Sequence, residues 1–414
     1  MGGGARPPRP GTLLPRAVPA YTGGAMPTPS TPEEFLAECR ALQGALRPHP
    51  TLARLRRTPG WPDLAARLAW VLSEVRRFSP APAAAPPAPG GGPIRAVHWN
   101  IEKANRGPAV QAALCTHPRL RGADVVLLNE VDLGMARSGN RDVAAALAGA
   151  LGLHAAWAPM FLETTAGRDD DPRLAAGIEN REGLLGLAVL ARWPLGEVRI
   201  VELPSPQRVQ FDVERMYGRH VGLAVEVLRP GAPFVAVSTH LEVHRTRAHR
   251  TVEMRTLLEA LRGERRPVAL AGDLNAHTLD RGGLRNATRA ALALLLAPEE
   301  SLERRFRRPY EGPAREGLFE ELGAAGFEWE PFNDPAPTLA LRLDRVPEVR
   351  GLARLGGPLL RPALARMERR ARLKLDWFAG RGWAGGRGGT VEELGGPAGA
   401  SDHAPIVAEL APHR

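Results

Sequence analysis

The sequence is short of lysine, of cysteine and of long apolar runs, and each shortage removes a class of explanation. Only Lys103 and Lys374 occur in 414 residues, so 53 of the 55 basic side chains are arginine. Together with the 45 Gly, 40 Pro and many Ala, this reads as GC-rich codon usage. The formal net charge of +10 is therefore a diluted signal for phosphate-bearing partners. Residues 1–93 hold 11 Arg against 5 acids, so six of the ten surplus charges precede the rest of the chain and +4 remain for it. Cys39 and Cys115 are too few for a disulfide framework and stand in no CxxC or Cys/His metal spacing. A reducing, cytoplasmic setting is the expectation. No window of about 18 apolar residues occurs, which excludes a membrane-spanning helix on hydropathy. The opening MGGGARPPRPGTLLPRAVPA lacks the apolar core of a secretory signal. Arg6 occupies the place where myristoylation at Gly2 would want Ser or Thr. Met26 is a second candidate start.

What is present, 44% hydrophobic and 24% charged residues, suffices for one large core or two smaller ones. Residues 1–30 are Pro/Gly-rich and read as a disordered tail. Thr31-Pro32-Glu33-Glu34 has the form of a capping box, and a second apolar-periodic stretch runs from Trp61 to Phe78. Residues 31–79 thus read as a helical extension packing on the main body or on a partner. The run PAPAAAPPAPGGGP closes at Pro93 and makes 80–93 a linker. Beyond it, 94–414 reads as one domain. Strands are expected at Ile94–Asn100, Asp124–Asn129, Gly186–Ala191, Val221–Val227, Phe234–Thr239, Val268–Ala271, Leu373–Phe378 and Pro405–Glu409. Helical patterns fall near 108–120, 140–151, 246–262, 285–297 and 315–325. This texture suggests a mixed α/β sandwich.

The polar residues collect at strand ends, where burial is costly unless they have partners or a task. His98-Trp99-Asn100 ends the first strand, and alone an Asn there is turn chemistry. Four apolar residues deliver Asn129-Glu130 and then Asp132, and carboxylates at a strand's exit are hard oxygen ligands of the kind Mg²⁺ prefers. Ser238-Thr239-His240 ends another strand. Gly272-Asp273-Leu274-Asn275 places an acid and an amide two residues apart. Lys374-Leu375-Asp376-Trp377 and Ser401-Asp402-His403-Ala404-Pro405 complete the series. Arg137, Asn140 and Arg141 occupy a Gly-containing loop ahead of a helix near Asp142, a setting suited to an anionic oxygen, and they are expected to bind substrate phosphate.

In this order, from Asn100 through Glu130, THL at His240, GDLN, LDW and the terminal SDH, the chain resembles the endonuclease/exonuclease/phosphatase superfamily of metal-dependent phosphoesterases, from about Ile94 to Leu410. The resemblance implies a four-layered α/β sandwich, two mixed sheets packed face to face with helices outside. It implies that Glu130 binds Mg²⁺ or Mn²⁺, with Asn100 and Asp402 as further ligands. His403, oriented by Asp376, would be the general base. Asp273 and Asn275 would position water and phosphate, with Asp273 an alternative for the proton transfer. His240 would hydrogen-bond the phosphate or protonate the leaving oxygen. Two departures stand out: Gly186-Leu187-Ala188 where relatives often carry Gly-Asn-Ala, and Arg250 with Glu253 where they show Arg and Gln. The expected function is metal-assisted hydrolysis of phosphodiesters, with nucleic acid the favoured substrate and Arg304–Arg315 and Arg350–Lys374 as a candidate backbone-binding rim. A phosphatase or a phospholipid or inositol-phosphate phosphodiesterase is the alternative, with peripheral membrane contact left open. A non-catalytic binding protein comes third.

Overall fold

The computed structural model describes residues 31–49, 51–80, 92–204, 214–243, 245–280, 284–342 and 362–413. The tail expected at 1–30 and most of the linker expected at 80–93 lie outside the described residues, as does the start of the Arg350–Lys374 segment.

Two mixed sheets lie at the centre. The larger contains β1 (Arg76–Phe78), β2 (Ile94–Asn100), β3 (Val125–Leu133), β4 (His154–Glu163), β5 (Leu184–Ala191), β7 (Met216–Gly218), β14 (Gly385–Thr390) and β15 (Ile406–Ala411). Its order is β1-β4-β5-β3-β2-β15-β14, with β7 paired to β4. The smaller contains β6 (Leu195–Glu202), β8 (Val221–Val227), β9 (Phe234–His240), β10 (Val268–Asp273) and β13 (Asp376–Arg381), ordered β13-β10-β9-β8-β6. β2 runs parallel to β3 and β9 parallel to β10, and the other neighbours in the two sheets are antiparallel. A ribbon of β11 (Leu339–Ala340) and β12 (Arg372–Leu373) lies apart.

The inner faces meet in a core that includes Ala96, Leu127 and Val189 from one sheet and Leu223, Phe234 and Ala271 from the other. The helices α1 (Pro32–Leu46), α2 (Leu52–Leu55), α3 (Trp61–Val71), α4 (Gly107–Thr116) and α5 (Val143–Leu151) cover the large sheet's outer face. After the short α6 (Asp171–Ala175), α7 (Arg247–Ala260) and α10 (Leu318–Ala324) cover the small one. These are the four layers of the sandwich. Between β10 and β13 an insert adds α8 (Leu284–Leu296), α9 (Glu299–Arg307) and a helix at 362–370 around their own small core of Leu294, Leu302, Phe306 and Met367.

The capping box at Thr31 forms, with Glu34 N–H donating to Thr31 Oγ1 and Thr31 N–H to Glu34. Phe35, Cys39, Leu42 and Leu46 bury one face of α1 in the same core as Val97 and Trp99. The helical pattern expected to continue to Phe78 stops at Val71. Arg76–Phe78 is instead an edge strand, Arg76 opposite Trp157 and Phe78 opposite Ala155. It covers backbone groups of β4 that would otherwise be left unpaired. The expected strand at Asp124–Asn129 continues to Leu133 through a bulge between Leu128 and Val131. The bulge holds Glu130 at φ 55° and re-aims its side chain.

Candidate active site

The site forms where one end of the two sheets converges. On the small sheet, Asp273 is the register partner of His240 on one side and of Asp376 on the other, so the three stand abreast. On the large sheet, Asn100 is opposite Asn129, and His98 precedes Asn100 by two positions on the same face. Hydrogen bonds stitch the two ends together. Asn100 Nδ2 donates to Glu130 Oε1 (3.1 Å) and Asp273 Oδ2 (3.2 Å). Asp273 N–H donates to Asn129 Oδ1 at 2.7 Å, and Asn129 Nδ2 to Ser238 Oγ at 3.0 Å.

His403 arrives on the loop before β15. Ser401 Oγ fixes that loop by donating to Asn100 O (2.7 Å) and accepting from His403 N–H (3.2 Å). Asp402 follows Ser401, with its Oδ1 3.4 Å from the Ser401 hydroxyl oxygen. His403 Nδ1 meets Asp376 Oδ2 at 2.7 Å, which leaves Nε2 pointing at Asp273 Oδ2, 3.8 Å away. The second Asp376 oxygen is taken by His98 Nε2 at 2.9 Å. Thr338 Oγ1 accepts from the N–H groups of Leu375 and Asp376 and so sets the start of β13. His240 Nε2 approaches Asp273 Oδ2 at 3.6 Å. Asn275 adopts φ 48°, donates its N–H to Asp273 Oδ1 and its amide to Leu241 O, and thereby braces Asp273.

Burial and neighbouring charge divide the carboxylates. Burial opposes ionisation of Asp376, but the charge and hydrogen bond of His403, with His98, hold its carboxyl well below the usual range. Burial likewise opposes the charge on His403, and Asp376 overrides it, holding the imidazole well above its ordinary value. Burial, reinforced by Asp376, raises Asp273. Burial pushes Glu130 up, yet His240, Lys103 and the Asn100 amide prevail and keep it below its ordinary value.

Asp273, Asp376 and His403 present ligand atoms within 4.8 Å of one another. Both Asp376 oxygens are already engaged by histidines, so this residue is matched to orienting His403 and not to a metal. Glu130, Asp273 and Asp402, with the Asn100 amide, are hard oxygen donors of the kind that suits Mg²⁺ or Mn²⁺.

The model of the Endonuclease/Exonuclease/phosphatase family matches residues 97–403, well over half of the chain. The chain belongs to this family. Its members are hydrolases acting on phosphoester bonds, generally dependent on a divalent metal, and this chain is one of those enzymes. An endonuclease/exonuclease/phosphatase structure from Beutenbergia cavernae is 20% identical, with 77% of this chain and 72% of that one covered and a TM-score of 0.45. The human Nocturnin catalytic domain with bound sulfate is 14% identical over 81% of this chain and 96% of that one, TM-score 0.41. Sphingomyelinase C from Streptomyces griseocarneus is 16% identical over 77% and 99%, TM-score 0.43. No curated protein matches. No helix among the described residues is long and apolar enough to cross a membrane.

The loop after β3 differs from the phosphate-binding loop expected there. The Arg137 side chain has no exposed surface on which to take up a phosphate. Its buried guanidinium is bidentate to Asp132 (2.9 and 2.7 Å) and to Glu163 (2.7 and 2.8 Å). Asn140 donates to Glu179 O and accepts from Arg181 N–H, and Arg141 Nε donates to Ser138 O, so both fold the loop. An Arg-Asn-Arg loop looks the same in sequence whether its charges face solvent or carboxylates far along the chain. Two residues at the site were not assigned roles from sequence, His98 and Asn129. The signal available for both was period-two placement on β2 and β3, beside residues that were assigned. Of the two departures, Gly186 packs where a Cβ would meet Ala158 O and the Trp157 ring. Arg250 is a buried tie to Glu316, at 2.6 Å, and to His277 O, at 3.0 Å.

Proposed function

We propose that the chain is a Mg²⁺-dependent phosphodiesterase acting on nucleic acid. The observation that carries this reading is the Asp376–His403 pair, whose free Nε2 faces Asp273 beside the oxygen cluster of Glu130 and Asn100. In the proposed reaction the base is the neutral His403 ring: Asp376 and Asp273 favour the imidazolium, a divalent ion held by Glu130 would oppose that pull, and Asp376 keeps the one proton on Nδ1 so that Nε2 accepts another from the attacking water. Asp273 accepts the water's second hydrogen bond and orients it, while the Asn275 N–H holds that carboxylate and Asn129 holds the Asp273 backbone. His240 Nε2 delivers a proton to the leaving oxygen. Glu130, Asn100 and Asp402 would hold the divalent ion, which when bound neutralises charge developing on the phosphate.

The test is a panel of plasmid DNA, single-stranded RNA, an abasic duplex, a lipid phosphodiester and an inositol polyphosphate, each with Mg²⁺, Mn²⁺ or EDTA. Nucleic acid should be cut with metal and spared in EDTA, and His403→Ala should lower kcat by about 10²–10⁴-fold, the usual worth of a positioned acid or base. If no phosphoester is cleaved in either metal, or His403→Ala matches the parent, the reading fails. Cleavage confined to lipid or inositol phosphates would move it to the alternative branch.

A further inference from the structure

Beside the site, on the flank facing the insert, is a group of cations that the chemistry above does not use. Three loops meet there and are tied by named bonds. Arg250 donates to Arg245 O, in the loop after His240, and to His277 O, in the loop after Asn275. Thr278 N–H donates to Arg305 O at the end of α9 (3.3 Å), and Lys374 N–H donates to Phe306 O (2.8 Å). The last turn of α9 is therefore anchored both to the segment leaving Asp273 and Asn275 and to the segment entering Asp376. Phe306 is buried, and on a helix its neighbours leave the axis about 100° to either side. Arg305 and Arg307 accordingly emerge half-exposed around it, and Arg245 is half-exposed on the adjoining loop.

The charges on this flank are unevenly committed. Asp280 is paired with Arg247, Glu316 with Arg250, and Glu311 with Arg308. Glu299 and Glu300, at the far end of α9, are paired with Arg370 and Arg304. Glu303 lies one turn nearer the N-terminus than Arg307. Among the described residues no ion pair engages Arg245, Arg305 or Arg307. Apart from Glu303, the acids named here are thus spent on other arginines, and Arg245, Arg305 and Arg307 remain half-exposed without an ion pair among the described residues.

We propose that Arg245, Arg305 and Arg307 form a rim that grips the phosphate backbone of a nucleic-acid strand beyond the bond being cut. The proposal rests on the phosphodiesterase reading for its purpose, but binding at the rim is separable from hydrolysis. Guanidiniums suit this task because their forked donors match two phosphate oxygens at once, and each released counterion makes binding steeper in salt.

The experiment uses the full chain. Binding of a fluorescent 20-mer oligodeoxythymidylate is measured by anisotropy in EDTA from about 50 to 200 mM salt, a range over which phosphate contacts weaken binding steeply. Hydrolysis of bis(4-nitrophenyl) phosphate is followed in Mg²⁺. Arg305→Gln/Arg307→Gln should weaken oligonucleotide binding about tenfold and flatten the logarithmic salt slope by roughly 1.4, at about 0.7 per lost single-strand contact. Its kcat/KM on the small diester should equal the parent's. Unchanged oligonucleotide affinity and slope would overturn the rim, whether or not the small diester is cleaved. Failure of the parent to cleave that diester and every phosphoester of the panel above would overturn the catalytic reading instead. A third arm uses phosphatidylserine vesicles: loss of vesicle binding with oligonucleotide binding intact would also overturn the rim, in favour of a lipid surface.

Discussion

The chain's two lysines are both buried and both border the site, yet their surroundings treat them oppositely. Lys103 lies three residues past Asn100, and its ammonium meets Asp171 Oδ2 at 2.8 Å and Glu214 Oε1 at 2.7 Å. Burial disfavours its charge, but Glu214, helped by Asp171, holds its pKa well above that of an ordinary lysine. Lys374 lies two residues before Asp376. Its ammonium has Thr390 Oγ1 at 3.4 Å, the Trp377 ring at 5.0 Å and its nearest carboxylate, on Asp334, only at 3.9 Å. Burial wins there and depresses the pKa to about 8. The difference teaches that a buried charge is kept by close, aimed partners and not by the mere presence of acids nearby.

The largest effect should come from breaking the well-matched side. Glu102, Lys103 and Ala104 all have positive φ, 46°, 61° and 57°, a left-handed turn that side chains other than glycine resist. The Lys103 ammonium pins this turn to the cluster of Asp171, Glu214, Arg137, Glu163 and Asp132. Lys103→Met would leave buried carboxylates short of a cation, and a loss of about 3–5 kcal/mol is expected in denaturant unfolding. Arg137→Ala should cost a similar amount for the same reason. Where that variant remains folded, its KM for a small diester should stay at the parent value. A raised KM with intact stability would return Arg137 to a substrate role.

This contrast also marks how far the sequence could be read. The apolar runs of β2 and β8 were expected with their observed bounds, and the polar residues at the ends of β2, β9, β10 and β13 were legible because alternation and position fix which side chains gather there. Six strands escaped, the short β1, β7 and β11 among them. β4 and β6 pair with distant segments, and β14 is GGRGGT, which carries almost no strand propensity. Its glycines are needed because Phe332 packs directly on the strand, where a Cβ at Gly388 would strike the Phe332 carbonyl. The partners of Arg137 and Lys103 were hidden for a related reason: Glu163, Asp171 and Glu214 lie 26 to 111 residues away along the chain, and no local pattern announces such contacts. His98 was legible as a residue on the first strand, but its bond to Asp376 spans 278 positions and two sheets.

A smaller effect, of opposite sign, is expected from the poorly matched side. A pKa lowered from 10.5 to about 8 means that the folded state disfavours the Lys374 charge by roughly 3 kcal/mol. Lys374→Met keeps most of the apolar stem and removes the charge, at the loss of the contact with Thr390, itself worth about 1 kcal/mol. The variant should be about 2 kcal/mol more stable than the parent at pH 7, read as a higher midpoint in urea with an unchanged slope. Destabilisation by Lys374→Met would show that Asp334 and the Trp377 ring hold the ammonium better than their distances suggest.

The smallest effect is the pH dependence of that gain, and it discriminates most sharply between the two lysines. Below pH 8 Lys374 is charged in both the folded and unfolded chains, so the burial penalty is fully present. Between pH 8 and 10.5 the unfolded chain holds the proton more often than the folded one, so parent stability gains from this residue as pH rises. The advantage of Lys374→Met should therefore shrink from about 2 kcal/mol at pH 7 to nearly nothing by about pH 9.5. Other groups that titrate in this range are common to both proteins and cancel in the difference. Lys103, whose pKa is raised, keeps its charge across the same interval, so the cost of Lys103→Met should stay constant. An advantage of Lys374→Met that persists undiminished at pH 9.5 would mean that the gain comes from packing, and that burial of an ill-matched charge does not distinguish the two sites.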